Sequence, residues 1–340
     1  MNPVAIAPGS VLLVPHCKNS GSIIALLCCS LYPNLNRRSA PGPPHWIWSA
    51  IISPQIMHVI LRKLTVTLAT LFVVMCPVAI AAANTPANKP QVIKLQRFRK
   101  ALWKVHVTIK GKPGDFLLDT GGGITLLTED YSKGIACMFW GRTTGYNMFG
   151  KRIDGPHCDN VQIEAGPVTL TTLNVGHIDF GEQFPGDKAP DGLLSLDAFD
   201  GKAITLDQAA GTLTIETPRS LAKRTKAMKE LPLRLSRECS ARCLSVFVGV
   251  PTAEGMTWLI LDSGAGGVSL IAKDYAKVFG LDPNAKDQRL KYEIAPGVMV
   301  DSPVIVTDMI MDGNLGQPFM SQYVMTLDLA HGRLWVAKNR

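Results

Sequence analysis

One phrase occurs twice in this chain, as Phe116-Leu117-Leu118-Asp119-Thr120-Gly121 and as Leu259-Ile260-Leu261-Asp262-Ser263-Gly264. Each copy brings an acid, a small hydroxyl residue and a glycine to the end of a short apolar run. The acids stand 143 residues apart, too far for one loop and about the size of one small domain. The far ends of the two units also match. Asp191-Gly192-Leu193-Leu194-Ser195, Ile204-Thr205-Leu206-Asp207 and Gly211-Thr212-Leu213 align without a gap on Asp312-Gly313-Asn314-Leu315-Gly316, Met325-Thr326-Leu327-Asp328 and Gly332-Arg333-Leu334, at a constant offset of 121. A single Asp-Thr-Gly is commonplace. A unit duplicated at both ends requires two copies of one fold and offers a two-fold site with one acid from each side.

The local pattern within each copy is β. Val105, Val107 and Ile109 alternate, a Gly111–Gly114 turn follows, and the apolar run then reaches Asp119; Val246, Val248 and Val250, the turn at Glu254-Gly255 and Trp258 to Leu261 repeat the plan. Both read as a β-hairpin whose second strand delivers an acid at its end. Beyond each acid lie a glycine-rich bend, an apolar stretch (Ile124 to Leu127; Val268 to Ile271) and an Asp-Tyr pair. The interval from acid to Asp-Gly is longer in the first half, so the first half carries the larger insertion. The expected architecture is all-β: two duplicated β-barrel-like lobes related by a pseudo-two-fold axis, with a cleft between them. The N-terminal lobe is placed at 101–217, a lysine-rich linker at 218–229 and the C-terminal lobe at 230–340. Residues 84–100 read as a polar linker running into an outer strand with a solvated basic face, or, alternatively, into a basic leader covering an acidic site.

Charge separates the N-terminus from the rest. Residues 1–83 carry five basic residues and no acid, and setting these against the net +8 leaves +3 elsewhere. The remaining basic residues are scattered, so a nucleic-acid partner is not expected. Residues 57–83 have the grammar of a signal peptide: a short positive region from Met57, an apolar core from Leu64 to Ile80, and Ala81-Ala82-Ala83. On that reading residues 1–56 are an over-extended gene start, and the protein is exported, periplasmic or secreted. An uncleaved N-terminal anchor facing outside the cytoplasm is the alternative. Of the eight cysteines, Cys137, Cys158, Cys239 and Cys243 lie downstream of the signal. An even count in an exported protein suggests two disulfides, and proximity favours 137–158 and 239–243 among the three pairings. His106, His157, His177 and His331 share no spacing, and no metal ligand set is expected.

With both motifs placed, the chain resembles the aspartic protease superfamily of pepsin-like and retropepsin-like enzymes, and most of all the exported bacterial aspartyl-protease proteins with two such lobes. The resemblance spans nearly all of 101–340. It is carried by Asp119-Thr120-Gly121, by Asp262-Ser263-Gly264-Ala265, and by Leu193-Leu194-Ser195 and Asn314-Leu315-Gly316 in the place of the segment packed beneath each acid. It implies an aspartic endopeptidase in which Asp119 and Asp262 share one proton and activate a water. Thr120 and Ser263 would brace the two loops rather than act as nucleophiles, Gly121 and Gly264 would permit close backbone approach, and no cofactor would be needed. The partner would be a peptide or protein substrate, and the active species a monomer.

Three positions depart from the family pattern. Gly122 removes one possible hydrogen bond to Asp119, Ser195 stands where glycine is expected, and Asn314 stands where an apolar residue is expected and would need partners. The aromatic, glycine-punctuated stretch from Phe139 to Gly150 is the candidate substrate flap, with Tyr146 reaching over the cleft and a Cys137–Cys158 disulfide at its base. Two other readings use the same duplication. One is a two-lobed module that holds extended peptides without cutting them, and the other is a half that pairs with a second chain.

Overall fold

The computed structural model describes residues 11–12, 89–99, 101–181, 183–239 and 241–339. The signal-like segment 57–83 and nearly all of 1–56 lie outside the described residues. The fold is all-β and two-lobed, and among the described residues no helix is longer than Pro218–Thr225. That helix occupies most of the segment expected as a plain linker. Thr217 and Ser220 close a capping box at its start and Pro218 sits in its first turn, both favourable to initiation.

The two lobes repeat one strand plan. In the first, strands Leu102–Ile109 and Lys112–Leu118 form a hairpin around Lys110 and Gly111, a tighter turn than the expected Gly111–Gly114. Strand Lys112–Leu118 then runs parallel to Gly192–Leu194, which is antiparallel to Leu126–Leu127, itself parallel to Val168–His177. In the second, strands Ser245–Thr252 and Gly255–Leu261 form the hairpin. Strand Gly255–Leu261 runs parallel to Gly313–Leu315, which is antiparallel to Ser269–Ala272, itself parallel to Val298–Thr307. The Asp-Gly pair of each half pins this crossing. Asp191 accepts a hydrogen bond from the Asp115 N–H and Asp312 from the Trp258 N–H, both at 2.9 Å. A β-carbon on Gly192 or Gly313 would lie 2.5 Å from the carbonyl of Leu126 or Leu270, so neither position tolerates a side chain.

A six-stranded antiparallel platform joins the lobes in the order Gln91–Phe98, Thr212–Ile215, Ala203–Asp207, Tyr323–Asp328, Arg333–Lys338, Lys229–Leu231. At its centre Thr205 pairs with Thr326, and their hydroxyls meet at 2.9 Å. These residues are equivalents in the duplication, so the pseudo-two-fold axis passes between them. Strand Gln91–Phe98 buries Ile93 and Leu95 and exposes Lys94 and Gln96. It is paired on both sides, with Thr212–Ile215 and with Leu102–Ile109.

The insertion in the first half is a long hairpin of Trp140–Asn147 and Arg152–Ala165. Disulfide Cys137–Cys158 closes its base, and Cys239–Cys243 closes a short loop of the second half. Both pairings are those favoured by proximity, and such bonds suit an oxidising compartment. Among the described residues no helix is long and apolar enough to cross a membrane.

Candidate active site

Each acid is set in place by its own lobe before the other lobe contributes. The apolar runs Phe116–Leu118 and Leu259–Leu261 are buried central strands. Their last residues hand over to the acid loops through Asp119 N–H to the Leu194 carbonyl (3.0 Å) and Asp262 N–H to the Leu315 carbonyl (3.1 Å). Inside each loop the glycine N–H turns back onto the carboxylate. Gly121 N–H donates to Asp119 Oδ1 and Gly264 N–H to Asp262 Oδ1, both at 2.9 Å.

The loops then lock across the lobe boundary. Thr120 Oγ1 donates to the Leu261 carbonyl at 2.7 Å and accepts from the Ser263 N–H at 3.0 Å. Ser263 Oγ donates to the Leu118 carbonyl at 2.9 Å and accepts from the Thr120 N–H at 3.0 Å. Each hydroxyl thus donates one hydrogen bond and accepts one across the boundary. Glycine is required next to them by the opposite lobe. A β-carbon on Gly121 would fall 2.7 Å from Asp262 Cγ, and one on Gly264 would fall 2.7 Å from Asp119 Oδ2.

This arrangement brings Asp119 and Asp262 side by side, 1 % and 2 % exposed, with their carboxyls within hydrogen-bond reach. Burial pushes the Asp119 carboxyl far above its ordinary range. The neighbouring Asp262 charge pushes the same way, against the Gly121 and Gly264 N–H groups. Two carboxylates buried in contact repel each other, so ionising Asp119 beside a charged Asp262 is disfavoured. Such a pair can take a proton at one oxygen and give one at another without a metal or an organic group.

Gly122, Ser195 and Asn314 sit differently around the two acids. Gly122 N–H donates to the main-chain oxygen of Asp119 at 3.4 Å; its counterpart Ala265 makes the same bond to the Asp262 main-chain oxygen at 3.3 Å and also reaches the carboxylate, Asp262 Oδ1, at 3.1 Å. Ser195 is fully buried, its N–H donating to Thr125 Oγ1 at 3.2 Å. Asn314 finds the partners it requires: its side chain accepts from the Leu270 N–H and donates to Asp262 Oδ2, both at 2.9 Å.

The long hairpin does reach the second lobe, but through a different residue from the one expected. Tyr146 stays 36 % exposed, while Met148 at the tip is 2 % exposed and packs with Ile260, Leu270 and Met311. The Ile310 N–H donates to the Met148 carbonyl at 2.9 Å. The turn Asn147–Gly150 inverts the side-chain alternation, and sequence pattern alone could not place it. From the second lobe, Cys239 and Cys243 pack on Leu117, Leu126 and Leu193 of the first, and the Leu244 N–H donates to the Gly123 carbonyl at 2.7 Å. A cavity of about 440 Å³ is lined by Trp103, Gln208, Gly266 and Gln317 but by neither acid. Of the described histidines, His106 meets Asp115, His157 meets Thr143 and the Trp140 ring, His177 meets the Phe139 ring, and His331 meets Asp328.

No family model and no curated protein matches the chain. Among solved structures the chain is similar to conglutin gamma, a basic 7S globulin from lupine seeds, at 10 % sequence identity and a TM-score of 0.49. The match covers 74 % of this chain and 95 % of that one.

Proposed function

We propose that this protein is an aspartic endopeptidase that hydrolyses peptide bonds with a water activated between Asp119 and Asp262. The observation that carries the proposal is the buried carboxyl pair, one acid from each copy of the duplication, held by the exchanged Thr120 and Ser263 hydrogen bonds. The ionised member withdraws a proton from the water as it attacks the scissile carbonyl. The protonated member polarises that carbonyl and later passes its proton to the leaving amine. No covalent enzyme intermediate forms, in keeping with the full engagement of both hydroxyls. An extended peptide fits the site class, since the acids lie at strand ends between two lobes, and the hairpin tip at Met148 would have to lift to admit it. Export to the periplasm or outside the cell accords with the two disulfides and with the signal-like residues 57–83.

A non-catalytic peptide-binding cleft is the second reading. It draws on Gly122, whose N–H leaves Asp119 with fewer donors than Asp262. A peptide-library digest from pH 3 to 7 separates the two readings. Cleavage blocked by a statine-type inhibitor supports the peptidase, and binding without turnover across that range supports the module.

A further inference from the structure

Asp119 and Asp262 are equivalent by duplication but not by surroundings. Asp262 accepts three hydrogen bonds: Gly264 and Ala265 N–H on Oδ1, and the Asn314 amide on Oδ2. Asp119 accepts the Gly121 N–H on Oδ1, with the Gly264 N–H also directed toward it. The two differences fall at matched positions. Ala265 corresponds to Gly122, and Asn314 to the apolar Leu193.

The first-half pair is sterically coupled, because a β-carbon on Gly122 would lie 2.7 Å from Leu193 Cδ2. Leucine beneath the acid thus goes with glycine in the loop, whose N–H bonds the Asp119 main-chain oxygen, while the Ala265 N–H is shared between the Asp262 main-chain oxygen and Oδ1. In the second half asparagine accompanies alanine, and both donate to the acid. The orientation of the Asn314 amide is fixed by its other end. Its Oδ1 takes the Leu270 N–H, which leaves the NH₂ group facing Asp262. An NH₂ group can only donate, so it favours a negatively charged acceptor. Asn314 is completely buried, where such a bond is not shared with solvent.

We infer that Asn314 is a positioning residue that fixes the negative charge of the pair on Asp262 and its proton on Asp119. On the peptidase reading, on which this role rests, Asp262 is the base toward the attacking water. Asp119 is then the acid that polarises the carbonyl and protonates the leaving amine.

The test is a carboxyl titration of the purified protein by carbon NMR with labelled aspartate, run beside the pH–rate profile. In Asn314→Leu, which copies the first half, the lower apparent pKa of the pair should rise by about one unit, a tenfold change in proton affinity, from the loss of one hydrogen bond to a charged group. The acidic limb of kcat should move with it. Leu193→Asn should lower the same step by supplying an amide donor beside Asp119, and this variant decides the matter alone if Asn314→Leu fails to fold. A lower step within about 0.2 unit of wild type in the folded variants overturns the role, because a merely structural residue would change the amount of active protein and leave the titration in place. Titration shifts without peptide cleavage would retain the placement of charge and remove the peptidase reading. Cleavage with an unmoved titration would do the reverse.

Discussion

Thr120 and Ser263 hold each other by exchange, each hydroxyl accepting the other's backbone N–H and donating to the strand that precedes the other's acid. Four buried hydrogen bonds therefore cross the lobe boundary directly beneath the carboxyl pair. The loss of either hydroxyl strands an N–H and a carbonyl of the opposite lobe.

Thr120→Val and Ser263→Ala should each cost about 1–3 kcal/mol, since each leaves a buried N–H and a carbonyl unpaired. The double variant should cost less than the two single costs together, because the residues belong to one network in which each hydroxyl bonds the other residue's N–H. Denaturant unfolding of the four proteins checks both statements, and full additivity would argue against a mutual brace.

Gly121→Ala and Gly264→Ala should lower kcat by roughly 100-fold or more while leaving strand content intact. Each adds a methyl at 2.7 Å from an atom of the opposite lobe's carboxyl group, and a displacement of this size at a reacting group has such effects. Circular dichroism beside single-turnover kinetics is the check.

Asp197 should make the native protein less stable as pH rises. Burial pushes its carboxyl up to about 7, against the hydrogen bond from Thr125 Oγ1 at 2.7 Å. An unfolded aspartate titrates near about 3.9, so between about pH 4 and pH 7 the folded state binds the extra proton and stability falls with increasing pH. Asn at 197 keeps an acceptor for Thr125 and carries no charge. Wild type and Asp197→Asn should thus melt alike at pH 4 and diverge by pH 8, the variant being more stable by on the order of 2–4 kcal/mol.

Met148 should act as the catch of the long hairpin. Met148→Asp places a charge among Ile260, Leu270 and Met311 and should release the tip. Hydrogen exchange at the Ile310 amide, which donates to the Met148 carbonyl, should then quicken by about tenfold or more. Unchanged protection at Ile310 would mean that the tip is held by other contacts.

The duplication made much of this legible in advance. Two apolar runs ending in Asp-Thr-Gly and Asp-Ser-Gly indicated strand ends, and the constant offset of 121 placed Asp191-Gly192 and Asp312-Gly313 in equivalent positions. What escaped the sequence was pairwise geometry. Asn314 read as an anomaly in a core because its two partners, Leu270 and Asp262, lie 44 and 52 residues away and meet it only after the strands cross. Tyr146 read as the residue over the cleft because aromatic character is visible in a string of letters, whereas the turn that buries Met148 is not. The segment 218–229 read as linker from its lysines, although Thr217, Pro218 and Ser220 held a helix start that was overlooked.

The central claim is that Asp119 and Asp262 work as one catalytic unit, and digestion of a peptide library by wild type, Asp119→Asn and Asp262→Asn across pH 3 to 7 tests it most directly. The expected result is cleavage by wild type alone, with each variant folded and its rate reduced by at least about 1,000-fold, since Asp119→Asn removes the acid of the pair and Asp262→Asn its base. Cleavage that persists in either folded variant would contradict the account.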